Sequence, residues 1–214
     1  VAIDASSLNE DFQVIIIGTG MSGILMAIRL QQAGIPFIML EKNPEMSGTW
    51  YENTYPGCQV DSANHLYSYL FEPNHQWSAH FSGSAELYAY FNKIVDKYAL
   101  RQHVRLNTTV QRASFDEANN QWLVEIESDR KHETLVANQL VSAVGQLNSP
   151  KMPDLEGLDS FAGVSFHSAR WEHQHQLEGK RVIVIGTGCS AAQFVHEIAP
   201  HCGELKIFQR SAPW

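Results

Sequence analysis

Short runs of apolar, β-branched residues alternate with glycine turns and helical patterns in the first part of the chain. The run Phe12–Ile17 predicts a buried parallel strand. A glycine-rich turn follows, then a helical pattern over Ile24–Ala33 that ends near Gly34, and then a second buried strand over Pro36–Leu40. The order strand, glycine turn, helix, strand predicts a βαβ unit.

The central part of the chain is less regular. Residues 43–77 are rich in Pro, Gly, Asn and aromatics without a sustained period, and such a stretch inside a compact domain is more often functional than idle. Helical spacing of apolar residues predicts a helix over Ser84–Tyr98 with Ser84 as its N-cap. Leu140–Val144 predicts another buried strand, which ends at Gly145. A smaller antiparallel layer is predicted from Thr108–Phe115, Trp122–Glu127 and Leu135–Val136.

A second βαβ pattern follows a segment with the composition of a linker. It consists of a strand over Lys180–Ile185, a glycine turn, a helix to about Ile198 and a strand over Leu205–Gln209. The predicted fold class is therefore α/β, with two Rossmann-like, doubly wound domains. The predicted boundaries are a first domain over residues 1–147, a linker over 148–178 and the truncated start of a second domain over 179–214. Since a doubly wound domain needs more strands than this, we expect the sequence to be the N-terminal piece of a longer protein.

Composition and charge narrow the classes of partner. The 15 Lys and Arg residues against 23 Asp and Glu give a formal net charge of −8, which disfavours nucleic acid. No apolar run approaches the roughly 18 residues of a membrane helix, so no membrane partner is expected. The 3 cysteines form no CxxC pair, which favours a reducing, cytoplasmic location over a disulfide framework. His173 and His175 lack Cys or Asp at ligand spacing, so no metal site is predicted.

The first glycine turn has the pattern of a dinucleotide-binding motif. In Gly18-x-Gly20-x-x-Gly23, the glycines permit a tight turn, a close backbone approach to a pyrophosphate, and helix–strand packing. Glu41 ends the next strand, where a carboxylate can accept both hydrogens of an adenosine ribose diol. The alternative is a plain glycine turn with a solvated Glu41.

The second glycine turn differs at the end of its following strand. Gly186-x-Gly188-x-x-Ala191 again lies between strand and helix, but Arg210 and then Ser211 stand where the first motif has an acid. A guanidinium suits a 2′-phosphate, whereas a carboxylate would repel it, so NADP(H) is predicted over NAD(H). The alternative is that Arg210 is an ordinary surface cation. Together, one acidic site and one arginine site predict FAD plus NADPH.

Two further motifs give the resemblance to a known family. Gly48-x-Trp50, followed by Tyr55-Pro56-Gly57 and Asp61, resembles the flavin-contact motif of type I Baeyer–Villiger monooxygenases. Ser47 departs from it, since the family usually has Gly or Ala there. Without the surrounding motif, Asp61 would be interpreted as a loop cap.

The second of these motifs is Phe161-x-Gly163-x-x-x-His167-x-x-x-Trp171, which resembles the fingerprint of the same family. Glu172 departs from the usual Pro or Asp but keeps a carboxylate. The resemblance runs from Phe12 to Trp214. The segments Ser168–Trp171 and Phe208–Ala212 resemble the branch that oxidises aryl ketones such as hydroxyacetophenones.

The resemblance implies a role for each matching residue. Glycines 18, 20 and 23 would hold the FAD pyrophosphate, and Glu41 its ribose. His167 would act in domain coupling rather than as an acid or base. Asp61 would pair with an arginine that stabilises a flavin peroxide, and that arginine lies outside this sequence. Further FAD contacts would come from Gly48, Trp50, Asp61, Tyr67, Val110 and Gln146, and NADPH contacts from Thr187, Gly188, Ser190, Arg210 and Ser211.

The resemblance also implies a reaction. NADPH would reduce FAD, the reduced flavin would take up O₂ as a C4a-peroxide, and the peroxide would attack a ketone to give an ester or lactone. The partners would be a small-molecule ketone, O₂, and the remainder of the polypeptide or a complementary chain. Two alternatives stay open: a flavin-containing monooxygenase that oxygenates nitrogen or sulfur, and a non-catalytic FAD-binding fragment.

Overall fold

The computed structural model describes residues 13–211, which form two compact units. The first unit comprises residues 13–51 and 88–148, and the second comprises residues 52–87 and 149–211. The helices are α1 (Met21–Ala33), α2 (Thr49–Glu52), α3 (Ser84–Lys97) and α4 (Cys189–Ile198). The strands are β1 (Val14–Ile17), β2 (Phe37–Leu40), β3 (Val104–Arg105), β4 (Thr108–Asp116), β5 (Gln121–Ser128), β6 (Lys131–Ala137), β7 (Gln139–Ser142), β8 (Arg181–Ile185) and β9 (Glu204–Phe208).

The first unit is built on a parallel sheet in the order β3-β2-β1-β7. The residues Ile17, Leu40 and Arg105 lie in register at the carboxyl ends of their strands. The loops that follow β1 and β2 therefore leave the sheet at one edge, which is where α/β folds bind their ligands. This confirms the predicted strand–turn–helix–strand order, while Phe12 lies outside the described residues.

The antiparallel layer β4-β5-β6 is confirmed and packs against this sheet. Its pairing shifts between Val110 and Arg112, which leaves Gln111 as a bulge. One apolar cluster unites the two layers: Ile15, Ile38, Leu40, Val124, Ile126, Leu135 and Ala137. The cluster supports the β1 and β2 ends that carry the first candidate site.

Some sequence predictions need correction. The strand predicted over Leu140–Val144 is Gln139–Ser142, and it is exposed or half-buried because it is at the end of the sheet order. Ser84 is the first residue of α3 rather than its N-cap, since the carbonyl of Gly83 accepts the first helical bond, from the amide of Leu87. Strand β3 was not predicted, because two residues carry no periodicity.

The second unit contains the parallel pair β8–β9 with α4 between them in sequence. The residues Ile185 and Phe208 pair at the carboxyl ends, and the amide of Gly186 donates to the carbonyl of Phe208 at 2.9 Å. The second predicted strand–turn–helix–strand order is thereby confirmed. The functional domain boundaries at residues 147 and 178 remain a prediction.

Candidate cofactor sites

Packing in the first unit requires glycine at two positions of the first motif. Gly18 has φ +96°, and a Cβ on it would approach the Ala143 carbonyl oxygen to 2.6 Å. A Cβ on Gly23 would overlap the carbonyl oxygen of Gly18. These two glycines therefore let α1 start directly against β1 and the end of β7.

Gly20, in the same motif, is not required by packing. It is the N-cap of α1 at φ −72°, and a Cβ there would meet only the Gly48 Cα, at an ordinary 3.8 Å. No side chain caps this helix end, and its first turn carries no acid. The missing side chain thus leaves a cradle open at a helix N-terminus, a position suited to a pyrophosphate.

Glu41 is buried beside this loop and already has internal partners. Its Oε2 accepts hydrogen bonds from the amide of Thr19 at 3.0 Å and from the hydroxyl of Thr19 at 2.7 Å. Its Oε1 accepts from the amide of Asn43 at 3.0 Å. A carboxylate offers about four acceptor positions, so one remains on Oε1 for a ribose hydroxyl, rather than the two predicted for a ribose diol. Thr19 was not predicted as a site residue, although a threonine inside the glycine turn is a recognisable signal for a local hydrogen bond.

The segment 47–50 lies directly against the glycine loop. The amide of Ser47 donates to the carbonyl of Thr19 at 3.0 Å, and a Cβ on Gly48 would come within 2.9 Å of the Gly20 Cα. Ser47 is buried at φ +86°, in the region that favours glycine. Trp50 is also buried, and its amide donates to the Ser47 carbonyl at 3.2 Å. The structure thus brings the first part of the predicted flavin-contact motif to the glycine loop.

Two other predicted FAD contacts lie in the same unit. The side chain of Val110 packs against the central apolar cluster, next to the bulge in β4. Gln146 is exposed in the turn after Gly145, which has φ +78°. Asn148 supports this turn by donating to the Val144 carbonyl at 2.8 Å.

The second glycine motif, in the second unit, shows open space. Gly188 is the N-cap of α4 at φ −74°, and nothing lies within 4 Å of a Cβ built on it. Neither backbone conformation nor packing among the described residues requires glycine at this position. Thr187 and Ser190 are half-buried on either side of it. The open space is therefore a second cradle at a helix N-terminus.

Arg210 and Ser211 follow β9 and are both exposed. Because β8 and β9 end in register, these residues leave the pair at the same edge as the Gly186–Gly188 turn. This is the edge at which a predicted 2′-phosphate contact must lie.

Asp61 and Tyr67 lie in the irregular part of the second unit. Asp61 is exposed, and Tyr67 is half-buried. Asn64, which is 2% exposed, anchors the turn between them: its Nδ2 donates to the Ala79 carbonyl and the Ser82 hydroxyl, and its Oδ1 accepts from the Ser82 amide. Asn64 was not predicted from the sequence, since a single polar residue in an irregular stretch carries no periodic signal.

The predicted fingerprint segment has a defined geometry. His167 caps the 3₁₀ turn Ser168–Arg170, its Nδ1 accepting from the amide of Ala169 at 3.1 Å, which places the proton of the neutral ring on Nε2. Trp171 packs on Phe166, with ring centroids 5.3 Å apart. A Cβ on Gly163 would meet only the exposed ring of Phe161, which can move aside, so packing does not require glycine at this position. The hydrogen bond from the Ala169 amide gives His167 a capping role in the structure.

The two imidazoles predicted to form a solvated loop have partners. Nε2 of His173 lies 2.9 Å from the Thr54 hydroxyl, and Nε2 of His175 lies 3.0 Å from Glu172. Within residues 13–211, no group of His, Cys, Asp and Glu could hold a metal ion. The cysteines are all free: Cys58 is buried, Cys189 is exposed and Cys202 is half-buried. No helix in the described range has the length and apolar character needed to cross a bilayer.

Comparison with known proteins places the chain in a family. The family model for pyridine nucleotide-disulphide oxidoreductases matches residues 15–214. A Baeyer–Villiger monooxygenase of Streptomyces coelicolor is 44% identical over 208 residues, which cover 97% of this chain and 39% of that protein. One of Pseudomonas aeruginosa is 45% identical over 203 residues, covering 94% of this chain and 38% of that protein.

Solved structures show the same likeness. A crystal structure of OTEMO in complex with FAD and NADP superimposes with a TM-score of 0.89 at 36% identity, covering 96% of this chain and 40% of that one. The chain thus spans about two fifths of the length of the relatives that it matches. It belongs to the pyridine nucleotide-disulphide oxidoreductase family and, over the part that it spans, is a homologue of the Baeyer–Villiger monooxygenases.

Proposed function

We propose that the protein is an FAD- and NADPH-dependent Baeyer–Villiger monooxygenase, which inserts one oxygen atom of O₂ next to a ketone carbonyl. The observation that carries this proposal is the fingerprint segment ending at Trp171, which occurs together with two glycine motifs. A heteroatom-oxygenating flavoprotein would share the glycine motifs but not this fingerprint. Relatives named Baeyer–Villiger monooxygenases support the same reading.

The first unit fits FAD. The space beside Gly20 admits a pyrophosphate to the N-terminus of α1, and no acid in the first turn of the helix opposes it. Glu41, oriented by Thr19, has one acceptor position left for the ribose. The segment through Gly48 and Trp50 lies against the same loop and is proposed to contact the flavin.

The second unit fits NADPH for the same reason, because it has open space beside a glycine at a helix N-terminus. The open cradle at Gly188 admits a pyrophosphate to α4, with Thr187 and Ser190 as flanking hydroxyls. Arg210 and Ser211, at the same strand edge, are proposed to hold the 2′-phosphate. A guanidinium there would favour NADPH over NADH by charge-assisted hydrogen bonds.

In the overall reaction, one ketone, O₂, NADPH and a proton give one ester or lactone, NADP⁺ and water, so that all atoms and electrons balance. When bound, the flavin supplies electron transfer from NADPH and the reaction with O₂. The exposed carboxylate of Asp61 is proposed to orient an arginine beside developing negative charge. That arginine and the ketone pocket are assigned to the remainder of the polypeptide or to a complementary chain. The proposed domains are residues 1–147 for FAD, 148–178 as the fingerprint linker, and 179–214 as the start of the NADP domain.

The proposal can be tested with the full-length protein, an aryl methyl ketone and ¹⁸O₂. We expect NADPH to bleach the flavin anaerobically much faster than NADH, and the ester to carry one ¹⁸O atom. Arg210→Ala should remove most of the preference for NADPH, whereas the exposed Arg181→Ala, at the opposite end of the strand pair, should not. Oxygen transfer to an aryl sulfide or amine only would identify a heteroatom monooxygenase. Flavin reduction with hydrogen peroxide as the sole product would refute oxygen insertion.

A further inference from the structure

One glutamine of α4 holds the segment that leads to Asp61. Oε1 of Gln193 accepts from the Tyr55 hydroxyl at 2.8 Å and from the amide of Gln59 at 3.3 Å. Its Nε2 donates to the carbonyl of Gln59 at 2.9 Å. The amide group therefore bonds both ends of the turn 55–59, which sets the path of the chain two residues before Asp61.

The same turn is packed tightly on the helix. A Cβ on Gly57, which has φ +72°, would lie 2.7 Å from the Gln193 carbonyl oxygen and 2.8 Å from Cγ of Glu197. The ring of Tyr55 meets Phe194 edge-on, with centroids 6.1 Å apart. Packing and hydrogen bonds thus fix Tyr55-Pro56-Gly57 to one face of α4.

The contact through Gln193 lies about one turn from the start of α4. Burial raises the pKa of Tyr55 to about 12, so the phenol remains a donor to Gln193 at physiological pH. Ser190 follows directly after Cys189, the first residue of α4, beside the Gly188 cradle. Gln193 lies about one turn further along the same helix, so the state of the helix N-terminus is connected to the turn 55–59 through the side chains of Gln193 and Tyr55.

The fingerprint segment holds the other side of this turn. The Trp171 ring lies 5.3 Å from Phe194, and Arg170 is 3.4 Å from the carboxylate of Glu52. Nε2 of His173 is 2.9 Å from the Thr54 hydroxyl. The segment 52–59 is thus held between α4 and the fingerprint, all within the second unit.

We propose that Gln193 is a positioning residue that couples occupation of the nucleotide cradle at Gly188 to the ordering of the turn 55–61, which carries Asp61. The proposal rests on the proposed function, because it takes NADP⁺ as the ligand of the cradle. Binding at the N-terminus of α4 stabilises the helix and, through Gln193 and Tyr55, the turn. Since coupling between two sites is reciprocal, ordering the turn must strengthen NADP⁺ binding by the same factor.

Hydrogen–deuterium exchange of the full-length, FAD-loaded protein with and without NADP⁺ tests this coupling. In the wild type we expect NADP⁺ to slow exchange both at residues 186–192 and, about tenfold, at residues 55–61. Gln193→Ala should keep the slowing at 186–192, lose it at 55–61, and weaken NADP⁺ binding by about the same factor of ten. Tyr55→Phe keeps the ring and should give an intermediate loss, whereas His196→Ala, exposed on the same helix, should behave as the wild type.

The outcomes separate the two proposals. Slowing at 186–192 without slowing at 55–61 in the wild type would overturn the coupling and leave the proposed function intact. Full slowing at 55–61 in Gln193→Ala would overturn the role of Gln193. No change at 186–192 would count against the NADPH site itself, and hence against both proposals.

Discussion

Replacing Gly20 by alanine separates the demands of the fold from those of the cofactor. In the protein alone the new methyl group meets only the Gly48 Cα, at 3.8 Å, and φ −72° suits alanine. Alanine is a poorer N-cap than glycine by about 0.5–1 kcal/mol. It also restricts the unfolded chain, which contributes about 0.4–1 kcal/mol in the other direction. The free energy of unfolding of the apoprotein should therefore change by less than about 0.5 kcal/mol.

The affinity for FAD should fall sharply in the same variant. A methyl group in the cradle displaces the pyrophosphate from the amides of α1, and a hydrogen bond to a charged group contributes about 1.5–3 kcal/mol. The loss of one such bond corresponds to an increase of about 10- to 150-fold in the Kd of FAD. Titration of the deflavinated full-length protein with FAD, followed by flavin fluorescence, measures it.

Two glycine variants serve as controls for Gly20→Ala. Gly23→Ala should destabilise the apoprotein strongly, because its Cβ collides with the backbone of Gly18. Gly188→Ala should leave FAD affinity unchanged and weaken NADP⁺ instead, since its open cradle lies in the other glycine motif. If Gly20→Ala bound FAD within twofold of the wild type, the space beside Gly20 would not be the pyrophosphate site.

Four further predictions concern residues outside the glycine loops. Ser47→Gly relieves φ +86°, a strain of about 1–3 kcal/mol, but it loses the hydrogen bond from Asn92 at 3.3 Å and frees the unfolded chain by about 0.4–1 kcal/mol. The free energy of unfolding should therefore change by less than about 1 kcal/mol, and urea titration showing a loss above about 2 kcal/mol would refute strain at this position. Asn64→Ala should lower the free energy of unfolding by about 2–4 kcal/mol, because the substitution leaves the buried Ser82 amide unpaired. A decrease below about 1 kcal/mol would show that water replaces the side chain. Burial lowers the pKa of His103, so the folded state disfavours the protonated imidazole, and the free energy of unfolding should fall as the pH drops below about 6.5. His103→Gln should make the free energy of unfolding less dependent on pH in this range. An unchanged pH dependence in the variant would mean that other groups cause it. Cys189 is exposed at the start of α4, so iodoacetamide should label Cys189 before the buried Cys58. Bound NADP⁺ should slow the labelling of Cys189. An unchanged labelling rate would show that the nucleotide binds elsewhere.

Much of the fold could be predicted because its strands are continuous apolar runs. β2 is buried along its whole length and β1 is buried up to the half-buried Ile17, and their apolar runs bracket a glycine turn. The helix α4 was predicted from the glycine turn that follows the apolar strand β8. By contrast, β3 has two residues, and its place beside β2 is set by pairing rather than by its own sequence.

The partners of the candidate site residues could not be predicted, because they are distant in sequence. The bond between Tyr55 and Gln193 joins residues 138 positions apart. The carboxylate of Glu41 is oriented by Thr19, which lies 22 positions earlier in a different loop. A motif identifies the residue types that contact a ligand, whereas the side chains that hold them follow only from the assembled sheet.

The place of β1 in its sheet has a consequence for synthesis on the ribosome. β1 pairs with β2 on one side and with β7 on the other, so that Val14 pairs with both Phe37 and Gln139. At about 5–20 residues per second, β7 emerges roughly 6–25 s after β1. During that interval one edge of a fully apolar strand is open in the nascent chain, available to aggregation or to a chaperone. Slower translation before residue 139 would lengthen this exposure, and the yield of folded protein should be most sensitive to codon changes in that stretch.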